Sequence, residues 1–361
     1  MHFTRKFQFK AKLIFLVTCW IQNTMGQSLP KYNTELKFIE GVDSLLSWKG
    51  NPLHKGRYVN HEFPMTNSFS DVWKWKQKKN PYESVKKKDT FQLPVASDLT
   101  SILDSKKDGI FWLGHATFVI RFDGRQFITD PVFNKATVVK RESPLPINPK
   151  SLPETHTILM SHDHRDHCDK TSLRKLKKWN PKINYYSGLN MSKLLDNFLK
   201  GSPGQVAGWY QQYNTEGFEL YFLPTRHWSK RTLNDTNKRL WGSFILKING
   251  VCIYFGGDSG YGSHYKDIAK LFPEIDYAIL GIGAYEPEWF MESNHASPEK
   301  AYQAFLDLRA KQFIPMHYGT FDLSDEPIGK PQEVLESIKI KKGDDRIIIP
   351  QLGGNLYNPK P

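Results

Sequence analysis

Cysteine is scarce in this chain, which has three among 361 residues. So few cysteines cannot build a disulfide framework, and the class of small disulfide-stabilised domains is excluded. Long apolar runs are missing as well. The run at residues 13–21 is too short for a transmembrane helix, which needs about 20 apolar residues. No later segment is apolar enough to span a bilayer, so we expect a soluble or membrane-peripheral protein.

Acidic residues are in the minority, with 37 Asp and Glu against 50 Lys and Arg, which gives a formal net charge of +13. This balance suggests an anionic partner, either nucleic acid or an anionic lipid surface. Aromatic residues make up 14% of the chain, enough to fill a core, so a wholly disordered chain is excluded. The length suits one large domain or two small ones.

The start of the chain is typical of an export signal. Four basic residues precede the apolar run, and small and polar residues follow it up to Gly26. We predict a signal peptide over residues 1–26 and an exported protein, periplasmic or associated with the cell envelope. An uncleaved anchor and lipidation at Cys19 remain alternatives.

Residues 27–95 form a polar, lysine-rich amino-terminal extension, in which Trp73 and Trp75 alternate with lysines. One interpretation is a patch that seeks a membrane surface, since Trp favours interfaces and Lys attracts phosphate. The other is a solvated segment wrapped over a core, with its Trp residues packed and its lysines in water.

Strand patterns begin at residue 109. Residues 109–122 and 125–129 are rich in β-branched and aromatic residues and flank the turn Asp123-Gly124, and Asn249-Gly250 joins residues 240–248 to 251–255. Alternating strand and helix patterns follow the first hairpin, and residues 346–349 are predicted as a last strand. This order predicts an α+β protein with a mixed sheet and helices outside.

Four potential metal ligands lie within six residues after the apolar strand at residues 157–161. They are His162, His164, Asp166 and His167, in the pattern H-x-H-x-D-H. Residues two apart in an extended segment point to the same side, so His162 and His164 can face one metal. A turn after them lets Asp166 and His167 face a neighbouring metal. Imidazole and carboxylate both suit zinc.

Three further candidates, His227, Asp258 and His317, each follow a predicted strand. Ligands at strand ends converge on one rim of a sheet, where loops build sites on a rigid base. With the histidine cluster they supply seven ligands, enough for two metals with Asp258 between them.

The histidine motif resembles the signature of the metallo-β-lactamase superfamily. The surrounding stretches resemble one of its branches, the N-acylphosphatidylethanolamine-hydrolysing phospholipase D family and its bacterial relatives. The matching stretches are residues 112–117, 129–133, 161–169, 226–232, 240–243, 257–261, 283–291 and 317–321. The resemblance implies a four-layer αββα metallo-β-lactamase sandwich, which we expect over residues 96–361 as the hydrolase domain.

The resemblance also implies roles for individual residues. His162, His164 and His227 would bind one zinc ion, Asp166, His167 and His317 a second, and Asp258 would bridge them. Asp166, Asp258 and His295 would take part in catalysis, with His295 assisting the leaving group, and His115 and Asp130 would orient ligand imidazoles. The chain departs from the branch at Arg165, where an aromatic residue is usual, and at Cys168, where Leu is common.

The expected activity is that of a zinc-dependent phosphodiesterase of phospholipase D type. A hydroxide between the metals would attack an N-acyl phospholipid or another small anionic substrate. A lactonase, esterase or other hydrolase with the same dinuclear centre is the alternative, and the same ligands also bind other divalent transition metals such as iron or manganese. A nuclease is disfavoured because no large inserted domain is evident, so no nucleic-acid partner is expected. Peripheral membrane contact fits the charge, and the oligomeric state stays open.

Overall fold

The computed structural model describes residues 28–45, 50–60, 62 and 69–358. The predicted signal peptide over residues 1–26 lies outside the described residues. Two large sheets organise the described chain, together with a small hairpin of β2 and β3. The six-stranded sheet has the order β4-β5-β6-β7-β8-β9, and the seven-stranded sheet has the order β1-β10-β11-β12-β13-β14-β15.

The strands run in chain order through both sheets. They are β1 Lys37–Phe38, β2 Leu53–His54, β3 Arg57–Tyr58, β4 Gly109–Gly114, β5 Thr117–Phe122, β6 Arg125–Thr129, β7 Thr157–Met160, β8 Asn184–Gly188, β9 Gly204–Ala207, β10 Gln211–Gln212, β11 Glu219–Leu223, β12 Ser243–Ile248, β13 Val251–Phe255, β14 Tyr277–Gly281 and β15 Gln312–Met316.

The helices lie between and after these strands. They are α1 Val42–Leu45, α2 Phe69–Gln77, α3 Glu83–Lys86, α4 Thr100–Leu103, α5 Lys170–Trp179, α6 Ser192–Leu199, α7 His264–Leu271, α8 Glu288–Met291, α9 Pro298–Leu308 and α10 Lys330–Lys342, with a short 3₁₀ turn at Pro149–Ser151. Within the described part of the chain, no helix has both the length and the apolar character needed to cross a membrane.

Two apolar layers stabilise the sandwich. Alternate residues of a strand point to opposite faces, so a single strand contributes side chains to both layers. In β5, Phe118 and Ile120 face the core between the two sheets, whereas Val119 faces the layer beneath the helices α5 and α6. In the seven-stranded sheet, residues of β14 and β15 pack in one apolar cluster with Phe305 of α9. The expected four-layer αββα sandwich is therefore confirmed.

Both predicted hairpin turns are confirmed. The turn residues Asp123 and Gly124 have φ of 50° and 68°, and Asn249 and Gly250 have φ of 49° and 73°. Positive φ at both central residues matches the twist of the flanking strands, and Asn, Asp and Gly tolerate it best. The register Phe122↔Arg125 closes the first hairpin.

Two strand predictions are wrong. Residues 109–122 are not one strand but the hairpin β4–β5, whose turn contains Gly114 and His115 at φ of 102° and 53°. The sequence has no Asn-Gly or Asp-Gly pair there, so turn preferences do not predict a break between the two strands. Residues 346–349 do not form a strand, and only Ile347 makes an isolated parallel bridge, to Phe313.

The amino-terminal extension packs against the main domain where it is described. Strand β1 pairs with β10 at the edge of the seven-stranded sheet, in the register Lys37↔Gln212. Tyr58 is fully buried, and Asn51 accepts a hydrogen bond from the backbone N–H of Trp209 at 3.0 Å. These contacts fit a segment wrapped over a core, although Trp73 remains 60% exposed. The boundary at residue 95 stays a prediction.

Candidate metal centre

The predicted ligands come from both sheets and meet at one edge of the sandwich. From the six-stranded sheet, the loop after β7 carries His162, His164, Asp166 and His167. From the seven-stranded sheet, His227 follows β11, Asp258 follows β13 and His317 follows β15. All seven predicted ligands take part in two clusters whose candidate donor atoms lie within 4.8 Å of one another.

The first cluster contains His162, His164, His227 and Asp258. Nδ1 of His164 lies 3.0 Å from Nε2 of His162 and 3.1 Å from Nε2 of His227. Oδ2 of Asp258 lies 3.8 Å and 3.6 Å from the same two Nε2 atoms. Three imidazoles and one carboxylate thus surround one point, as in a four-ligand site for a divalent cation.

The second cluster contains Asp166, His167, His317 and His115. Oδ2 of Asp166 lies 3.6 Å from Nε2 of both His167 and His317. Asp258 approaches the same two rings, with Oδ2 at 3.1 Å from His167 Nε2 and Oδ1 at 3.2 Å from His317 Nε2. Asp258 therefore lies between the clusters and approaches rings of both, and its bridging of two metals stays a prediction.

Hydrogen bonds on the outer side aim these rings inward. Nδ1 of His167 lies 2.8 Å from Oδ2 of Asp130, Nδ1 of His162 lies 2.8 Å from Oγ of Ser161, and Nδ1 of His227 lies 3.0 Å from the carbonyl oxygen of Asn294. Such partners fix the tautomer and leave Nε2 for a metal. Asp130 therefore contacts the imidazole of a predicted ligand.

His115 contacts a ligand carboxylate as well as a ligand imidazole, since its ring centroid lies 4.0 Å from that of His317. Nε2 of His115 lies 3.2 Å from Oδ2 of Asp166, so it orients a carboxylate. Burial, followed by the neighbouring His317, lowers the pKa of His115 to about 3. The ring is therefore neutral at pH 7 and can donate one hydrogen bond to Asp166.

The protonation states of the first cluster suit metal ligation directly, whereas two rings of the second cluster carry a proton that a metal would displace. Burial opposes their protonation, but Asp258 and Asp166 raise the pKa of His167 well above its usual value and that of His317 to about 9. Burial lowers the pKa of His162 and of His227 well below the usual histidine value, so both rings are neutral. Burial alone would raise the pKa of the Asp258 carboxyl, but His167 and His317 hold it well below its ordinary value. Neutral imidazoles and ionised carboxylates are the forms that bind metals.

Unpartnered buried atoms give a direct test of whether a metal fits. Among the described residues, Nε2 of His167, Nε2 of His317 and Oδ1 of Asp258 are buried, and although they lie close to one another their geometry makes no hydrogen bond. Buried polar atoms without partners are costly, and nearly all are satisfied in native proteins. Divalent cations at the two clusters would satisfy them, so the residues present fit a metal centre.

A cavity of about 580 Å³ opens onto this centre. Its inner end is lined by His164, Asp166, Asp258, His295 and His317. Nδ1 of His295 lies 3.9 Å from Oδ2 of Asp258, next to the ligands but outside the two four-residue clusters described above. The predicted catalytic residues Asp166, Asp258 and His295 therefore face one space that a substrate can enter.

A buried ion pair and several hydrogen bonds, which the sequence did not predict, hold the loop of residues 162–168 in place. Asp163 is fully buried and accepts hydrogen bonds from Nε of Arg239 at 2.6 Å and from the backbone N–H of Lys230 at 2.8 Å. The guanidinium of Arg231 donates to the carbonyl oxygens of Asp163 and Cys168, each at 2.7 Å. These bonds fasten residues 162–168 to the loop that carries His227. The available signal was an acidic residue between two predicted ligands, His162 and His164.

Comparisons with known proteins agree with this geometry. Residues 125–318, more than half of the chain, match the family model described as the Beta-lactamase superfamily domain. A metallo hydrolase of the hyperthermophilic archaeon Ignicoccus hospitalis shares the fold, with a TM-score of 0.52 and 19% identity over 70% of this chain and 98% of that one. By this family match the chain belongs to the metallo-β-lactamase superfamily and is a metal-dependent hydrolase of that family.

Two curated relatives define the branch more narrowly. The chain is 30% identical to N-acyl-phosphatidylethanolamine-hydrolyzing phospholipase D 1 of Caenorhabditis elegans, over 87% of this chain and 91% of the relative. It is 33% identical to the mitochondrial N-acyl-phosphatidylethanolamine-hydrolyzing phospholipase D of Saccharomyces cerevisiae, over 67% of this chain and 54% of that relative. The predicted family resemblance is thereby confirmed.

Proposed function

We propose that this protein is a zinc-dependent phosphodiesterase of phospholipase D type that hydrolyses N-acyl phospholipids. The observation that carries the proposal is the cavity at the metal centre, which combines apolar walls with a cationic rim. The names of the curated relatives support the same substrate class. We further propose that the protein acts as an exported, membrane-peripheral enzyme.

The apolar walls suit acyl chains. Val72 and Trp75 of α2, Phe290 and Met291 of α8, and Leu323 line the cavity. The rings of Trp75 and Phe290 stack with their centroids 5.3 Å apart, which fixes the wall. Helix α2 belongs to the amino-terminal extension, so this region contributes to the substrate site as well as to packing.

The rim of the cavity suits a phosphate. Arg165 and Lys230 line it beside the clustered ligands, and both carry positive charge at neutral pH. Arg165 is also the position where the chain departs from the usual aromatic residue of the branch. A guanidinium there binds phosphate oxygens through paired N–H donors, which an aromatic side chain cannot do.

The chemistry divides between the metals and the chain. When bound, a pair of divalent ions supplies a nucleophile at neutral pH and stabilises charge on the attacking and leaving oxygens. Asp166 and Asp258 hold the two clusters together, and Arg165 orients the phosphate. Burial, partly opposed by Asp258, lowers the pKa of His295 to about 4, so its ring is neutral at pH 7. We therefore assign His295 to orient the leaving oxygen with an N–H donor.

Replacing His295 tests this assignment. We expect His295→Ala to lower kcat by about 100-fold, the cost of one donor to developing charge, with little change in KM. His295→Gln retains an N–H donor and should keep part of the activity. Equal losses in the two variants would contradict the hydrogen-bonding role, and steady-state kinetics with metal-loaded protein makes the comparison.

A substrate panel tests the proposed reaction. Metal-loaded protein should release an N-acylethanolamine and phosphatidate from N-acylphosphatidylethanolamine, and should act poorly on simple acyl lactones and esters. Metal content is measured on the same sample, so inactivity from metal loss is recognised. Turnover of lactones without phosphodiester cleavage would overturn the proposal in favour of a lactonase.

A further inference from the structure

A second cavity of about 580 Å³ lies beside the first and shares Arg165 with it. The segment of residues 230–236 separates the two: Lys230 and Thr236 line the first cavity, whereas Thr232 and Asp235 line the second. The second cavity contains none of the seven predicted metal ligands. It is therefore a neighbouring site with its own chemistry.

Cations dominate the lining of this second cavity. They are Lys135, Arg165, Lys170, Arg231 and Arg239. Across the described ranges, only Arg239 of these five forms an ion pair with a carboxylate within 4.0 Å. Four of the five cations therefore face this space without a direct ion pair to a carboxylate.

The two carboxylates of the lining are engaged elsewhere. Oδ2 of Asp169 caps α5 by accepting from the backbone N–H of Ser172 at 2.7 Å. Oδ1 of Asp235 accepts from the backbone N–H of Arg231 and of Thr232, at 3.0 Å and 2.7 Å, and its Oδ2 pairs with Arg239. Neither forms an ion pair with Lys135 or Lys170, and with five cations against two carboxylates the lining keeps a net charge of +3, which attracts an external anion.

Part of this cationic lining is pre-formed. The guanidinium of Arg231 is fixed by two backbone carbonyl oxygens and lies 5.4 Å from the centroid of the Phe198 ring. Nζ of Lys170 lies 5.9 Å from the same ring. Cations held on a buried aromatic ring lose little conformational freedom when an anion binds.

Two apolar side chains stand on the loops that border the cavity. Val138 is 86% exposed and Leu233 is 89% exposed, more than any other large apolar residue of the described chain. They directly follow Thr137 and Thr232, which line the cavity from two separate loops. Apolar tips around a cationic pocket match the interfacial layer of a bilayer, where anionic headgroups lie above acyl chains.

We propose that this second cavity binds the headgroup phosphate of an anionic bilayer phospholipid, with Val138 and Leu233 inserted beside it. Lys135, Lys170 and Arg231 contact the phosphate. Because Arg165 borders both cavities, docking here turns the mouth of the first cavity toward the same membrane. The inference rests on the proposed function only for its choice of a lipid ligand, and its test requires no turnover.

The test is co-sedimentation with vesicles of phosphatidylcholine, with and without phosphatidate. The full chain should bind the phosphatidate vesicles and lose binding as salt rises. The double variant Lys135→Gln/Lys170→Gln should bind about 30-fold more weakly, since each lysine near an anionic surface contributes about 1 kcal/mol. Val138→Ser/Leu233→Ser should also bind more weakly, even though it removes no charge.

The matched control is Lys341→Gln/Lys342→Gln, which removes the same charge from two exposed residues on α10. It should bind like the parent. An equal loss in the control would overturn the proposal, because diffuse charge would then explain binding. The proposal would also be overturned if Lys135→Gln/Lys170→Gln bound the phosphatidate vesicles as tightly as the parent, even if it bound inorganic phosphate more weakly. Melting temperature and metal content establish that each variant is folded.

Discussion

Asp258→Ala is expected to lose hydrolytic activity by far more than 100-fold and to bind metal poorly. Asp258 lies within 4 Å of candidate donor atoms of His162, His167, His227 and His317, so its removal opens both clusters at once. Loss of groups that only support metal ligands already costs 10–100-fold in metal affinity or activity. Metal analysis and turnover on one sample measure both effects.

Asp276→Ala is the matched control, because it also removes a buried carboxylate. Asp276 accepts from the backbone N–H of Cys252 at 2.9 Å and lies outside both clusters. It should lower the stability of the fold and leave metal content per folded chain unchanged. Wild-type hydrolysis by Asp258→Ala would show that this carboxylate does not hold the metal centre.

Arg239→Met is expected to lower the free energy of unfolding by about 3 kcal/mol or more, because it leaves Asp163 buried without its cation. The Asp163 side chain has no exposed surface, and the Arg239 side chain is only 16% exposed. The pair also fastens the loop of residues 162–167, so we expect weaker metal binding in the same variant. Denaturant unfolding with and without metal separates the two effects.

Arg346→Met provides the comparison at the surface. Arg346 pairs with Asp344 at 2.6 Å, but its side chain is 47% exposed. Exposed ion pairs contribute about 0–1 kcal/mol, so its loss should be small. In the double variant Asp163→Asn/Arg239→Met no buried charge remains at position 163, so part of the stability should return, although Asp235 loses Arg239 in both variants. If Arg239→Met lowered the free energy of unfolding no more than Arg346→Met does, the stabilising role of the Asp163–Arg239 ion pair would be contradicted.

The ligand set was predictable because its chemistry is concentrated in few positions. His162, His164, Asp166 and His167 have little reason to occur together except to bind metal, and His227 and His317 each end an apolar strand. Asp163 was not predictable in the same way, since Arg239 lies 76 positions away and only the fold brings them together. The second cavity was not predictable for a similar reason, because its cations come from loops and a helix start that are separate in the sequence.

The fold was predictable where local signals and burial agree. The hairpins around Asp123-Gly124 and Asn249-Gly250 carry strong turn residues, and both formed as expected. The turn at Gly114-His115 carries no such signal, and tertiary contacts decide it: Oγ1 of Thr320 accepts from the backbone N–H of His115 at 2.8 Å. Strand β1 was not predictable, because it has only two residues and pairs with β10, which begins 174 positions later in the chain.

Because the ligands come from two different sheets, a bound metal should stabilise the packing of one sheet against the other. Residues 162–167 belong to one sheet and His227, Asp258 and His317 to the other, so a bound ion cross-links the two halves of the core. Unfolding must release that ion, and resistance to heat should therefore rise with free metal concentration. The catalytic centre then acts as a non-covalent cross-link in a chain whose buried Cys168 and Cys252 form no disulfide.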